Sequence, residues 1–295
     1  MVRAGWPCGR LASSIMPDAS DIAREPAGGS GRRHGRMTDY ANPSVSVTGG
    51  SMPLLGFGTW QIADADAPAA VGAALEAGYR HIDTATGYRN QRGVGRAIAD
   101  SGLAREDVFV TTKLPPDNAD RVRETIEESL DQLGLDHLDL WLVHWPPNGE
   151  ARPDVWEQVV QAQTDGLTRA VGVSNYSLAQ IDELVTATGT TPAVDQIKWS
   201  PVEYDAAIAH GLAERGVVLE GYSPFKASNL QDPTLVEIAG AHDADSAQVI
   251  VAWHVAHGFV VIPKSSSPER IQSNAAGARI ELTPDEVARI DALAR

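Results

Sequence analysis

Short apolar runs and longer amphipathic stretches alternate along the chain from about residue 50 to its end. Runs with β character lie at Leu54–Phe57, His81–Ala85, Val108–Thr112, Leu138–Val143, Ala170–Val173, Val194–Ile197, Val217–Tyr222 and Val260–Ile262, eight in all. Between and after them the spacing predicts helices. These cover Pro68–Ala77, Ala119–Leu133, Asp154–Ala162, Leu178–Ala187, Ala206–Arg215, Thr234–His242, Ser246–His257 and Pro268–Ala276. Ala119–Leu133, for example, places Val122, Ile126, Leu130 and Leu133 on one face. Two helix starts carry N-terminal signals: Asp154 ahead of Val155-Trp156-Glu157, and Thr283-Pro284-Asp285-Glu286 before the last helix.

Eight strands, each followed by a helix, imply a parallel sheet with right-handed crossovers. Strands this apolar are covered on both faces. The expected fold is therefore α/β, a (β/α)8 TIM barrel in a single domain, with an N-terminal hairpin before the first strand and a short C-terminal tail. The length of 295 residues suits it, since barrels of roughly 250 residues form single domains. An open dinucleotide-binding sheet is the rival. Its nearest fingerprint, Gly93-Val94-Gly95, lacks both the third glycine and a preceding strand.

Residues 1–36 break the pattern, with six arginines (Arg3, Arg10, Arg24, Arg32, Arg33, Arg36) and no periodicity. They read as a disordered extension, with Met37 as an alternative start. Asp18, Asp21 and Glu25, and the lack of an apolar segment, speak against a targeting peptide. The expected division is an extension over 1–43 and the barrel over 44–295.

A formal net charge of −15 disfavours nucleic acid and anionic membranes as partners, because both need a basic footprint. No apolar run approaches the roughly 18 residues of a membrane span. Cys8 is the sole cysteine, which leaves the barrel without disulfides or a thiol nucleophile. A cytoplasmic monomer acting on small molecules is expected.

In such a barrel the active site lies at the C-terminal strand ends. Seven consecutive strands deliver polar groups there: Asp83 and then Tyr88, Lys113, His144, Ser174-Asn175, Gln196, Tyr222 and Lys264. Each alone has an ordinary explanation as a cap, a solvated charge or a packing residue. Their coincidence on one rim does not.

Tyr88, Lys113, Asp83 and His144 together suit carbonyl reduction, which needs a proton for the oxygen. Tyrosine is a weak acid, with an unperturbed pKa of about 10, and a nearby ammonium such as Lys113 favours its phenolate. Asp83 would keep Lys113 charged, and His144 would donate to the substrate oxygen. No metal is called for: His137 and His144 are seven residues apart, and His254 and His257 lack a carboxylate at suitable spacing. No Gly-x-Ser-x-Gly elbow supplies a serine nucleophile. The segment Val260–Arg270 reads as a phosphate site, with Lys264, Arg270 and backbone N–H groups near Ser265–Ser267 around a helix start. A solvated N-terminal turn remains the alternative there.

The stretches Leu55–Trp60, Gly78–Ala85 with Tyr88, Thr112–Leu114, Leu142–Pro146, Val171–Asn175 and Ile262–Ser265, six motifs in order, resemble the aldo-keto reductase family. The nearest branch is the bacterial one that includes 2,5-diketo-D-gluconate reductase. The resemblance implies Tyr88 as acid, supported by Lys113, Asp83 and His144, and NADPH/NADP+ as cofactor. It implies Ser174, Asn175 and Gln196 on the nicotinamide amide and Tyr222 stacked on the ring. Ser223, Pro224 and Phe225 would line the pyrophosphate path, with Gly58, Thr59 and Lys226 also at the cofactor. Lys264, Ser265, Arg270 and Asn274 would take the adenosine end, Arg270 on the 2′-phosphate. Trp60, Trp145 and His144 would wall the substrate pocket.

Departures from the family pattern are Gln91 for an acid, Lys198-Trp199-Ser200-Pro201 for Glu-x-His-Pro, Ser273 for an acidic adenine contact and Lys226 for a glycine. A chain stopping soon after its last helix also implies a more open pocket than in relatives with a long C-terminal loop. The expected function is NADPH-dependent reduction of small aldehydes or ketones, such as keto-sugars or dicarbonyls. The alternatives are a non-catalytic NADPH-binding regulatory barrel and a Schiff-base lyase using Lys113.

Overall fold

The glycine-flanked segment after the first hairpin is where the barrel closes. The structure, a computed structural model, describes residues 43–295. Residues 1–42, and with them nearly all of the expected extension, lie outside the described residues. Pro43 already belongs to the fold, since its carbonyl accepts from Leu54 N–H at 2.8 Å.

Strands β1 (Ser44–Val47) and β2 (Gly50–Pro53) form an antiparallel hairpin. Eight parallel strands follow: β3 (Phe57–Gly58), β4 (His81–Asp83), β5 (Phe109–Leu114), β6 (Leu138–Val143), β7 (Thr168–Ser174), β8 (Val194–Lys198), β9 (Val218–Tyr222) and β10 (Val260–Ile262). They pair in chain order. The ring closes through the Leu55↔Val261 bridge, with Gly56 N–H on Val261 O at 2.9 Å and Val261 N–H on Leu54 O at 2.7 Å. The expected first strand Leu54–Phe57 is thus shorter and displaced. Gly56 and Gly58 permit the close approach: a Cβ at Gly56 would lie 2.5 Å from His81 Nδ1, and one at Gly58 2.9 Å from Ile262 O.

The helices among the described residues are α1 (Ala67–Glu76), α2 (Gln91–Asp100), α3 (Val122–Leu133), α4 (Pro153–Thr164), α5 (Leu178–Thr188), α6 (Ala206–Glu214), α7 (Pro233–Ala241), α8 (Ser246–His257), α9 (Pro268–Gly277) and α10 (Pro284–Asp291). None is long and apolar enough to cross a membrane. Capping follows the local sequence: Thr283 and Glu286 form a capping box on α10, as do Asp245 and Gln248 on α8. Asp154 sits in the first turn of α4 rather than at its N-cap, which is Arg152.

Helix α2 is missing from the expected helices because Gly93 and Gly95 weaken its helix propensity and leave few apolar side chains on its packed face. Packing supplies the reason for them. A Cβ at Gly93 would meet Asp64 O at 2.3 Å, and one at Gly95 would meet Leu133 O at 2.2 Å. The segment tested as a phosphate loop is instead a helix pressed between its neighbours.

Two apolar layers result. The larger lies between strands and helices and includes Ile82, Val110, Trp141, Val171 and Trp253. The smaller fills the barrel interior with Met52, Leu54, Phe109, Leu140, Leu142, Ala170, Val194 and Val260, with Val45 and Val47 of the hairpin packed on it. The interior is therefore apolar toward the hairpin and polar toward the strand C-termini.

Gly95→Ala should lower stability by about 1–2 kcal/mol, since overpacking against backbone outweighs the ~1 kcal/mol helix gain of alanine. Gly72→Ala on α1, where a Cβ meets nothing within 4 Å, should move the other way. Urea midpoints check both, and equal midpoints for the two variants would sink the packing account.

Candidate active site

Strand alternation turns His81 and Asp83 of β4, Thr111 and Lys113 of β5, Gln196 of β8 and Glu220 of β9 into the barrel. Lys113 is fully buried. Its Nζ donates to both Asp83 oxygens at 2.7 Å, to Thr84 O at 2.9 Å and to Tyr88 OH at 3.4 Å. Burial alone would depress the Lys113 pKa, but Asp83 and then Tyr88 outweigh it and the pKa is raised. The ammonium is held charged.

Tyr88 ends a short 3-10 turn, Thr86–Tyr88, pinned at both sides. Thr86 Oγ1 donates to Lys113 O at 2.9 Å. Asn90, fully buried, accepts from Thr84 Oγ1 at 2.8 Å and donates to Thr59 O and Ile62 O at 2.9 and 3.0 Å. Burial raises the Tyr88 pKa, with Asp83 adding to the rise and Lys113 opposing it. The expected lowering by Lys113 is present but smaller than the effect of burial.

His144 meets the Tyr88 ring edge to face, centroids 5.7 Å apart. Burial, and then Lys113, depress its pKa to about 3. It is a neutral imidazole with one N–H to give.

These groups floor a cleft of about 680 Å³ that also takes in Gly58, Trp60, Trp145, Ser174, Asn175, Gln196, Tyr222, Ser223, Pro224 and Lys226. A polar chain runs along one wall. Tyr222 OH donates to Asn175 Oδ1 at 2.9 Å, Asn175 Nδ2 to Ser174 Oγ at 2.9 Å, and Ser174 Oγ to Gln196 O at 2.8 Å. Gln196 Nε2 donates to Asp83 Oδ2 at 2.9 Å, which joins this wall to the ion pair. Gln61, Asn175 and Ser223 on the rim all adopt positive φ without being glycine (60°, 64° and 55°). Such backbone strain concentrates at ligand sites.

Phe225 and Lys264 also border a second cleft of about 720 Å³, which reaches Ser265, Arg270, Ser273 and Asn274. The two form one trough. Neither Lys264 nor Arg270 has an ion-pair partner among the described residues, so two cations stand at its far end in an acidic chain. Of the expected backbone donors, Ser267 N–H goes to Ser265 Oγ at 3.1 Å, and in the first turn of α9 Arg270 N–H goes to Ser267 Oγ at 3.4 Å. Lys226 places Nζ 5.8 Å from the Trp60 ring centroid. These residues follow β9 and β3, the two neighbours of β10, so the contact spans the mouth of β10. A long trough with an amide-rich wall, an aromatic base and unpaired cations at one end suits a phosphorylated dinucleotide.

Of the residues singled out in the sequence, Thr59 and Lys113 support the cleft from beneath; Thr59 Oγ1 donates to Asp83 O at 3.0 Å. The others line the trough. Several participants carry no sequence signal of their own. Asn90 is a buried polar clamp, and beside it Gln91, noted in the sequence only as a departure from the family pattern, accepts from Thr112 Oγ1 at 2.7 Å. Asp245 brings a carboxylate beside Ser273, accepting from its Oγ at 3.0 Å. Asp195, behind β8, takes Tyr176 N–H at 3.5 Å under Asn175.

Residues 54–295 match the aldo/keto reductase family. The chain belongs to that family. An aldo-keto reductase of Mycolicibacterium vanbaalenii is 43% identical over 247 residues, covering 82% of this chain and 88% of the relative. A methylglyoxal reductase of Salmonella typhimurium is 38% identical over 256 residues, covering 85% and 93%. Among solved structures, an aldo/keto reductase from Brucella melitensis superposes with a TM-score of 0.82 at 37% identity, covering 86% of this chain and 98% of that one. A Bombyx mori aldo-keto reductase in complex with NADP gives 0.81 at 31% identity, covering 86% and 94%. The barrel and the carbonyl-reducing class are those of an aldo/keto reductase.

Asp83→Asn removes the counter-charge of a fully buried ammonium and should cost about 3–5 kcal/mol of stability. Thermal unfolding at neutral pH measures it, and a variant as stable as the parent would contradict the ion-pair account.

Proposed function

We propose that the protein reduces small aldehydes and ketones, dicarbonyls and keto-sugars among them, with NADPH, and that Tyr88 is the proton donor. The observation that carries this reading is the Tyr88–Lys113–Asp83 chain beneath His144 on the floor of the trough. The methylglyoxal reductase relative supports the dicarbonyl class, and the NADP-bound neighbour supports the cofactor.

In this reading Tyr222, Ser174, Asn175 and Gln196 hold the nicotinamide against the floor, while Lys264 and Arg270 take the phosphates at the adenosine end. NADPH, when bound, supplies the hydride that the carbonyl carbon accepts. Tyr88 OH and the neutral His144 hydrogen-bond the carbonyl oxygen and fix the face it presents. As charge builds on that oxygen, Tyr88 gives up its proton, and the phenolate left behind is stabilised by Lys113 at 3.4 Å. Solvent protons then restore the phenol. Trp60 and Trp145, each about half exposed (46% and 48%) over the cleft, shield the carbonyl from water. A Schiff-base role for Lys113 is disfavoured, because an amine held charged by Asp83 is a poor nucleophile.

Tyr88→Phe should lower kcat by about 10²–10⁴-fold while NADPH still binds, followed by fluorescence quenching. Near-parental turnover would remove Tyr88 as donor. Arg270→Ala should weaken NADPH on the order of 10–100-fold, from the loss of a charge-assisted hydrogen bond, and leave NADH nearly unchanged. Equal losses for the two cofactors would exclude a 2′-phosphate contact.

A further inference from the structure

Directly below the Asp83–Lys113 pair lies a second buried acid that the mechanism above does not use. Glu220 of β9 is fully buried, points into the barrel and pairs in register with Gln196 of β8. Neither of its carboxyl oxygens receives a hydrogen bond of ordinary length and angle. His81 approaches at 3.7 Å, but its Nε2 is shared with Thr111 Oγ1 at 3.1 Å, and burial keeps the ring neutral. The Lys113 donors go to Asp83, Thr84 and Tyr88, and the Gln196 amide goes to Asp83.

Two acids and one ammonium therefore share a buried compartment in which the short hydrogen bonds of Lys113 and Gln196 go to Asp83 and Thr84, leaving Glu220 at most a weak contact with the Gln196 amide. An ionised carboxylate so poorly supplied with donors is strongly disfavoured in such a place. The charged and titratable groups facing Glu220 are His81 and Asp83 from β4, Lys113 from β5 and, above them, Tyr88; Gln196 from β8 and Val260 from β10 add no charge.

We propose that Glu220 is a positioning residue for the Tyr88 proton: it stays protonated in neutral solution, which leaves Lys113 to Asp83 and Tyr88, and it ionises in alkaline solution, where its charge holds the phenol proton in place. The inference rests on the reductase reading. Burial, with Asp83 adding and Gln196 and Lys113 opposing, pushes the Glu220 pKa up to about 8. Tyr88 titrates above its ordinary value, partly because of Glu220. Glu220 is therefore already ionised when Tyr88 begins to lose its proton, and it delays that loss. Under alkaline conditions the effect favours reduction, which needs the phenol, over alcohol oxidation, which needs the phenolate.

Glu220→Gln keeps the shape and removes the ionisation. In the variant the alkaline limb of carbonyl reduction, and the rise of alcohol oxidation with pH, should both move about one pH unit toward acid. The tyrosinate absorbance titration of the folded protein, with the same titration of the Tyr88→Phe variants subtracted, should show the same shift without any turnover. Superimposable profiles and titrations would overturn the inference. A protein without NADPH-dependent turnover would overturn the reductase reading instead, and the absorbance titration would still judge Glu220.

Two further measurements guard against a merely structural effect. The infrared carbonyl band of protonated Glu220, read as the difference between parent and Glu220→Gln because burial also pushes the Asp195 carboxyl well up, should be present at neutral pH and fade as the pH passes about 8. Its absence from the parent at neutral pH would overturn the proposal. Because the folded-state pKa lies above the unfolded one, the parent loses stability as pH rises from the ordinary glutamate value of 4.5 to about 8. The stability difference in favour of Glu220→Gln should widen over that window and level off above it, and a constant difference would count against the proposal.

Discussion

A buried ammonium is tolerated only where its counter-charge and acceptors are supplied in advance, and Lys113 sets that condition for the whole upper half of the barrel. Asp83 takes two of its hydrogen bonds and Thr84 O another. Gln196 closes the remaining side of Asp83, and Thr59 ties the Asp83 carbonyl to the strand before it. Four strands, β3, β4, β5 and β8, are thereby locked to one another through a polar centre rather than an apolar one. Breaking such a pair exposes an uncompensated charge, so the arrangement rigidifies the site whether or not it adds net stability.

The barrel separates two tasks along its axis. Toward the hairpin, interior side chains are apolar and the end is packed shut by β1 and β2. Toward the strand C-termini the same alternating positions carry His81, Thr111, Glu220, Asp83, Lys113 and Gln196. Groups that ionise thus share a compartment of low polarity, where each charge acts on its neighbours more strongly than in water. This is why burial, more than any single neighbour, governs Tyr88 and His144, and why Lys113 does not by itself make the phenol a stronger acid.

Much of this was legible in the chain. Eight apolar runs alternating with amphipathic stretches are a strong signal, and the polar residues that end the strands follow once the barrel is granted. What escaped was set by contact across space. Helix α2 hides because Gly93 and Gly95 are chosen for what Asp64 and Leu133 leave them, not for helix propensity. The first strand is short because ring closure, a pairing of Leu55 with Val261 more than 200 positions away, overrides its local β character. Asn90, Asp195 and Asp245 matter through partners that no spacing rule connects. Glu220 sits inside an apolar run, where periodicity marks the position as interior but not as charged.

The contact between Lys226 and Trp60 joins the loops that follow β9 and β3 at the rim of the cleft. A cation over an aromatic face at a partly exposed site is worth about 0.5–1 kcal/mol. Such a span stands open roughly one-sixth to one-third of the time if nothing else favours either state. It is therefore a latch rather than a lock: by itself it ties the two loops together for most of the time, yet so weakly that thermal motion parts them often, and the rim of the cleft keeps its shape only through the other contacts of those loops.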